Sequence, residues 1–176
     1  MGRSIVTEVS QKQRNINTDE ILVSKTDLEG LITYCNVNFM IYSGYNLEEL
    51  VGTKHISIKH PEMPNSIYRH LWKELKDIHE VSCVLKNSNK AGESYWTFMN
   101  ATPNFDADSK HIGYLFVQRS PSEEAIAYFN GLYKEMCLIE SQHSSDGEAM
   151  DASYQLLDNA AIKQGGHNEF VFSYYA

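Results

Sequence analysis

The densest group of chemically capable side chains lies in the segment HISIKHPEMP, which runs from residue 55 to residue 64. His55, Lys59 and His60 can donate hydrogen bonds to an anionic group, and Glu62 can accept them. Pro64 favours the start of a helix, whose first backbone N–H groups are free to bind a ligand. The segment therefore predicts a rigid loop before a helix start, which suits a ligand that needs both kinds of donor.

Patterns typical of enzymes are absent from the sequence. No HExxH pair indicates a catalytic zinc, and no GxSxG elbow indicates a serine nucleophile. The string GGHNEF near residue 170 is faintly similar to the signature of diguanylate cyclases, but an asparagine stands in place of an acidic residue. We therefore expect that the protein is not an enzyme.

Composition limits the kind of partner. The chain has 176 residues, 42% of them hydrophobic, which suits one domain with a core and a polar extension. Its net charge of −8 disfavours a nucleic-acid partner. No stretch approaches the roughly 20 apolar residues that span a bilayer, and the start of the chain lacks the apolar core of a signal peptide. We expect a cytoplasmic protein with reduced cysteines and no membrane insertion.

Hydrophobic spacing predicts the elements that must position the loop. Two β-prone runs, Ile21–Ser24 and Leu31–Tyr34, flank a turn and predict a hairpin. Asn36 can cap a short helix that stops at Ser43-Gly44. A helical pattern follows Pro64, and three β-prone runs follow that helix. The pattern predicts an α+β fold with a five-stranded antiparallel sheet and helices on one face.

The remaining segments give the domain organisation. We predict an N-terminal cap at 1–20, a sheet domain at 21–120 and a C-terminal helix at 121–140. Residues 141–176 predict a linker and tail, with a short helix that ends near Lys163. The last two strands are apolar on both faces, so one face needs a cap, a terminal helix or a second subunit. We therefore expect a homodimer.

Four sequence blocks resemble a known family. They are TDLEGLITYCNVNFMIYSGYNLEELVG, HISIKHPEMP, LWKEL and KNSNKAGESYWTFMNATP, within a stretch from about Ser24 to Glu140. Together they resemble the PAS sensor domain, in particular the flavin-binding PAS domain of bacterial aerotaxis receptors. The resemblance implies the PAS fold and non-covalent FAD. It also implies a redox or oxygen sensor in an aerotaxis or chemotaxis pathway, with a separate chemoreceptor or kinase-type protein as partner.

The resemblance also implies site residues. Positions at or near the flavin site of that family fall on Asn36, His55, Lys59, His60, Glu62, Trp72, Asn87 and Tyr95. The basic side chains would meet the FAD diphosphate, the amides would meet the ring edge or ribose, and Trp72 would give a flat apolar wall. Two positions depart from the family: Lys59 replaces an arginine, and Val81 replaces a tryptophan. We expect looser FAD binding as a result.

Two alternatives for the pocket stay open. His55 and His60, with two further histidines up to residue 79, lie in the region from which PAS domains supply an axial ligand, so a haem-binding gas sensor is one alternative. The other is a ligand-free PAS module that serves interaction or dimerisation. A light-oxygen-voltage photoadduct is disfavoured, because HISIKHPEMP contains no cysteine.

Overall fold

Five strands form one antiparallel sheet in the order β2-β1-β5-β4-β3. The computed structural model describes residue 10 and residues 12–175, so residues 1–9 and 11 of the predicted cap, and residue 176, lie outside the described part. The strands are β1 (Leu22–Thr26), β2 (Ile32–Cys35), β3 (Val81–Ser88), β4 (Ser94–Phe105) and β5 (His111–Arg119). The predicted hairpin and the three later strands are confirmed.

Three α-helices and a 3₁₀ helix connect β2 to β3. They are α1 (Val37–Ser43), α2 (Leu47–Leu50), the 3₁₀ helix His55–Ile58 and α3 (Asn65–Lys76). Asn36 caps α1 as predicted, because its side chain accepts a hydrogen bond from Phe39 N, and Gly44 ends the helix with φ of 73°. The helix predicted after Pro64 is α3, which begins at Asn65.

One face of the sheet, here called the inner face, lies against these helices. Strand register places on this face side chains that are all buried: Leu22, Ser24, Thr26, Val81, Cys83, Leu85, Asn87, Tyr95, Thr97, Met99, Ala101, Tyr114, Phe116 and Gln118. Close pairing of β1 with β5 needs Gly113, because a Cβ there would lie 1.9 Å from the Thr26 carbonyl oxygen. The inner face and helices α1 to α3 thus enclose one apolar layer with a few polar groups in it.

The C-terminal part of the chain covers much of the opposite face, here called the outer face. Helix α4 (Glu123–Ser141) places Tyr133 in a stacked contact with Trp96, and α6 (His167–Phe172) places Phe172 against Phe98, with ring centroids 5.5 Å apart. A terminal helix was one of the covers expected for this face. The predicted fold class, with helices on one face and a C-terminal helix in addition, is confirmed, and α4 and α6 supply the cover of the outer face.

The predicted linker and tail differ from the structure. The segment SQHSSDGEAMDAS leads into α5 (Asp146–Ile162), which packs beside α3 and buries Ala149, Ser153, Leu157 and Ala161. The four side chains recur every four residues and three of them are small, so they form a stripe that carries little hydrophobic signal in the sequence. The helix ends at Ile162, close to the predicted Lys163.

The described part of the predicted N-terminal cap contains no helix and forms a β-bridge between Gln13 and Ser94. Ser94 N donates to Lys12 O at 2.9 Å, and Arg14 N donates to Ser94 O at 2.7 Å. Ile16 is buried in the same apolar cluster as Tyr42 and Tyr95. The segment therefore lies along the start of β4. Among residues 10 and 12–175, no helix is both long enough and apolar enough to cross a membrane.

Candidate ligand site

His55 lies at the centre of the layer between the sheet and the helices. Its ring stacks on Phe116 of β5 with centroids 4.2 Å apart, and its Nε2 lies 3.1 Å from Ser24 Oγ of β1. Burial lowers the pKa of His55 to about 4, because the charged imidazolium would lose its hydration. The residue is thus neutral near pH 7, and the predicted role as a cation for a phosphate does not fit it.

Trp72 of α3 forms a wall of the same layer. Its ring makes edge contacts with Tyr114 and Phe116 at centroid distances of 5.6 and 5.9 Å. On the other side it lies against Gly30, where an added Cβ would be 2.9 Å from the ring and where φ is +80°. Trp72 therefore separates the interior from a surface groove of about 590 Å³. That groove is lined by Leu28, Glu29, Gly30, Lys54, Ile56, Trp72 and Lys76.

Asn87 and Tyr95 face each other across β3 and β4, and both are buried on the inner face. The Asn87 amide donates to Thr97 Oγ1 at 3.3 Å, a long hydrogen bond that leaves most of the amide's capacity unused. The Tyr95 hydroxyl has no hydrogen-bond partner among the residues that the structure describes. Val81 lies on the same face of β3, opposite Ala101 at the far end of the strand. The predicted site residues on these two strands are therefore brought into one layer.

Two further polar groups of this layer were not predicted. Tyr68 of α3 and Gln118 of β5 are buried, and Tyr68 Oη and Gln118 Nε2 have no hydrogen-bond partner within residues 10 and 12–175. An unpaired buried polar group costs about 1–3 kcal/mol. Strand alternation could have placed Gln118 beside Phe116 and Tyr114, but the helical pattern around Tyr68 indicates only an apolar face.

Asn36 does not face this layer with a free amide. Its side chain accepts from Val23 N at 3.0 Å and donates to Ile21 O at 2.8 Å, in addition to its cap on α1. These contacts fix the start of α1 on β1. The structure therefore assigns Asn36 a positioning contact with the backbone, and its hydrogen-bonding capacity is largely used.

The loop before α3 holds the other three predicted residues. Lys59 binds the Asn65 side chain and lies over the Tyr68 ring at 5.1 Å, and burial lowers its pKa. His60 is buried, and its Nδ1 accepts from Glu62 N at 3.2 Å. Burial is also the main reason why the pKa of His60 is lowered. The loop thus consists mostly of groups that bind one another.

Glu62 lies at the outer side of that loop. Its carboxylate is 2.6 Å from Lys86 Nζ, which lowers its pKa, and most of its side chain is exposed. It is therefore not brought together with His55, Asn87 and Tyr95. Within the described residues, no group of three or more His, Cys, Asp or Glu side chains could hold a metal ion.

Comparison with known proteins agrees with this architecture. A family described as the PAS fold matches residues 32–117. The aerotaxis receptor of Escherichia coli is 36% identical over 128 residues, which cover 73% of this chain and 25% of that receptor. The chain thus spans about a quarter of the length of this relative.

Solved structures show the same fold. A light-oxygen-voltage domain studied with a flavin analogue superposes with a TM-score of 0.55 at 24% identity, covering 62% of this chain and 82% of that one. The light-state domain of the blue-light photoreceptor Aureochrome1 gives 0.53 at 19% identity, covering 72% and 93%. Residues 32–117 therefore form a domain with the PAS fold, and the chain is similar in sequence to part of the bacterial aerotaxis receptor.

Proposed function

We propose that this PAS domain binds FAD non-covalently between the inner face and helices α1 to α3, and signals its redox state to a separate protein. The observation that carries the proposal is a set of buried polar atoms that have no partner in the described part of the chain: Tyr68 Oη, Tyr95 Oη and Gln118 Nε2. A polar ligand in this layer would pair them and remove their cost. The sequence similarity to an aerotaxis receptor supports a sensing role without catalysis.

The residues present fit a flat ring with a polar edge. Trp72 and Phe116 supply aromatic walls, and Asn87 can donate and accept on the edge. His55 stays neutral and is oriented by Ser24, so it can exchange a hydrogen bond without adding charge. Bound FAD would supply reversible redox chemistry, with changes of charge and protonation at its ring.

The diphosphate would lie outside Trp72. The groove there carries the ammonium groups of Lys54 and Lys76, and neither forms an ion pair with another described residue. Lysine is an effective point charge for phosphate, although it lacks the fork of arginine. Mutation of Lys54 and Lys76 to alanine should weaken FAD binding but leave riboflavin binding unchanged, as titration of both ligands would measure. Equal loss for both ligands would place the diphosphate elsewhere.

Strand β3 offers a route from the ligand to the C-terminal helices. Asn87 faces the inner layer, whereas the Val84 carbonyl of the same strand accepts a hydrogen bond from Tyr133 of α4 at 2.7 Å. If reduction of the ligand re-pairs the Asn87 amide, β3 shifts and α4 moves with it. A chemoreceptor or kinase-type partner would respond to that movement.

An absorption spectrum of the purified protein tests the cofactor. We expect a yellow protein that releases FAD on denaturation, and Asn87→Ala should lose much of its bound FAD. Asn159→Ala, at an exposed position on α5, is the matched control and should keep it. A colourless protein that takes up no added FAD would contradict the proposal, and a strong Soret band would favour the haem alternative.

Self-association stays a prediction. It was based on a sheet with two apolar faces, and α4 and α6 cover part of the outer face. Leu115 and Val117 of β5 remain half-buried on that face. Light scattering of the whole chain and of a variant without residues 1–20 would show whether a dimer forms and whether the N-terminal segment supports it.

A further inference from the structure

Helix α6 docks on the edge of the sheet through specific polar contacts, and α5 packs beside it on α3. Strand β3 is the last strand in the sheet, so one side of its backbone is open to a partner. The Asn168 side chain accepts from Ser82 N at 2.9 Å and donates to Glu80 O at 3.0 Å. His167 Nε2 lies 2.8 Å from Ser82 O and donates to it. The first turn of α6 thus pairs the backbone groups that an added strand would pair.

A pair of histidines lies at the centre of this contact. The rings of His70 on α3 and His167 on α6 meet edge to face with centroids 4.4 Å apart. Tyr154 Oη of α5 lies 2.9 Å from His70 Nδ1. The remaining nitrogens, His70 Nε2 and His167 Nδ1, are buried and have no hydrogen-bond partner among residues 10 and 12–175. A proton added to either atom would be a buried positive charge without an acceptor, beside a second imidazole.

The surroundings of the pair do not compensate for such a charge. Glu74 is the nearest carboxylate, 3.8 Å from His70 Nδ1, and its other oxygen lies 3.1 Å from His79. Burial lowers the pKa of His70 to about 3 and also lowers that of His167, despite the acidic groups nearby. The titratable and charged groups that face the pair are Lys73, Glu74, Cys83, Tyr154, Asp158 and Glu169.

We propose that α5 and α6 form an acid-sensitive latch, which leaves α3 and the edge of β3 when His70 and His167 take up protons. Undocking exposes the backbone groups of Glu80 and Ser82 that Asn168 pairs in the docked state. The latch is independent of any ligand in the inner layer. The latch adds a second signal that acts on β3, because β3 borders both the inner layer and α6.

The direction of the pH effect follows from proton uptake. An undocked histidine has an ordinary pKa of about 6.5, whereas the docked residues take up protons only at lower pH. Docking is therefore fully favourable above about pH 6.5 and weakens as the pH falls below it. For each histidine, the ratio of undocked to docked protein rises about tenfold per pH unit until the docked pKa is reached.

Amide hydrogen exchange on the full chain tests the latch. We compare exchange at about pH 7.5 and pH 5.5, after correction for intrinsic exchange rates. The protection of α5 and α6 should fall by up to about a hundredfold, because pH 5.5 lies about one unit below the ordinary histidine pKa and each of the two histidines contributes about tenfold. Protection of β4 and β5 should change much less. Unchanged protection in α5 and α6, or a parallel loss in β4 and β5, would overturn the latch.

Variants identify the groups that titrate. The logarithm of α5–α6 protection should change with pH by a slope that corresponds to two protons in the wild type. In His70→Gln this slope should fall toward one proton, whatever the protection of the variant at pH 7.5. His143→Gln, at an exposed histidine in the connection from α4 to α5, is the matched control and should keep the full slope. A His70→Gln protein with the full slope would show that other groups release the helices, and would overturn the proposal.

Discussion

The two faces of the sheet differ in how they treat buried tyrosine hydroxyls. On the inner side, the hydroxyls of Tyr68 and Tyr95 are buried without a partner among residues 10 and 12–175. On the outer side, the buried Tyr133 hydroxyl donates to Val84 O at 2.7 Å, as such groups do in an ordinary core. The contrast concerns the tyrosines, since Ser88 Oγ on the outer side is also buried without a described partner.

This difference predicts which substitutions should change the stability of the fold and which should change ligand binding. Where hydrogen bonds are complete, removal of one partner should destabilise the fold. Where a polar group is already unpaired, removal of that group should cost little and should instead affect ligand binding. Conservative substitutions on the two sides therefore have opposite expected outcomes.

The largest loss of stability is expected for Glu140→Ala. The Glu140 carboxylate accepts from Asn65 N, Ser66 N and Ser153 Oγ, each at 2.9 Å, and so joins α3, α4 and α5. Loss of these charged hydrogen bonds should lower the free energy of unfolding by about 2 kcal/mol in urea denaturation. Glu135→Ala, at an exposed position on the same helix, should change it little. Equal effects would show that the carboxylate does not join the helices.

The same carboxylate predicts a pH dependence. Burial alone would raise the pKa of Glu140, but its hydrogen bonds from Asn65, Ser66 and Ser153 lower it below the ordinary value. Its contribution is therefore complete above the unfolded value of about 4.3, and is lost as the pH falls through the lower folded pKa. Urea denaturation of wild type and Glu140→Gln at pH 6 and pH 3 should show a difference that shrinks in acid. A constant difference would mean that Glu140 does not titrate with folding.

A smaller loss is expected for Tyr133→Phe on the outer side. The change removes the hydrogen bond to the Val84 carbonyl and keeps the aromatic ring. It should cost about 1–2 kcal/mol of unfolding free energy, because the buried carbonyl loses its partner. Tyr128→Phe on the same helix is the control, since the Tyr128 ring packs on Tyr174 and its hydroxyl forms no hydrogen bond with another described residue. An unchanged free energy of unfolding in Tyr133→Phe would contradict the contrast between the two faces.

Little change or a gain in stability is expected for Tyr95→Phe and Tyr68→Phe on the inner side. Each removes a buried hydroxyl that has no partner among the described residues. The free energy of unfolding should therefore stay the same or rise by up to about 1 kcal/mol, as thermal denaturation would measure. Each should weaken FAD binding by about fivefold, the equivalent of one hydrogen bond. Losses of stability as large as that of Tyr133→Phe would show that these hydroxyls are paired within the protein.

The smallest effect is expected for Arg69→Ala. Arg69 on α3 pairs with Asp151 on α5 at 2.6 Å, and both side chains are more than one-third exposed. Such a surface pair contributes about 0.5 kcal/mol or less, and added salt screens it. Lys90→Ala, which breaks a similar exposed pair with Glu49, should have an equally small effect. A large, salt-independent loss would mean that Arg69 does more than pair charges.

The strands were predictable because their signals are local. Alternating or continuous apolar runs and a capping asparagine at Asn36 predicted the hairpin, α1 and the three later strands. Helix α5 was not predictable in the same way. Its buried stripe contains Ala149, Ser153 and Ala161, which pack against α3 because they are small, and small polar residues also occur in linkers.

The candidate site was predictable only in part. Residues on strand faces, such as Asn87 and Tyr95, follow from alternation, whereas Lys59 and Glu62 belong to a loop whose side chains could bind a ligand or one another. The sequence does not show which of these occurs, because the partners Asn65 and Lys86 come from other elements. The site assignments therefore remain predictions that flavin titration must test.

The two tryptophans of the chain lie on opposite sides of the sheet. Trp72 borders the inner layer between Phe116 and Gly30, and Trp96 is stacked on Tyr133 under α4. Each variant with a single tryptophan would therefore carry an intrinsic fluorophore that reports on one side alone. A ligand that enters the inner layer should quench or shift the emission of Trp72, and movement of the C-terminal helices should change that of Trp96. The molecule thus contains an optical probe for each of its two functional regions, and no attached dye is needed.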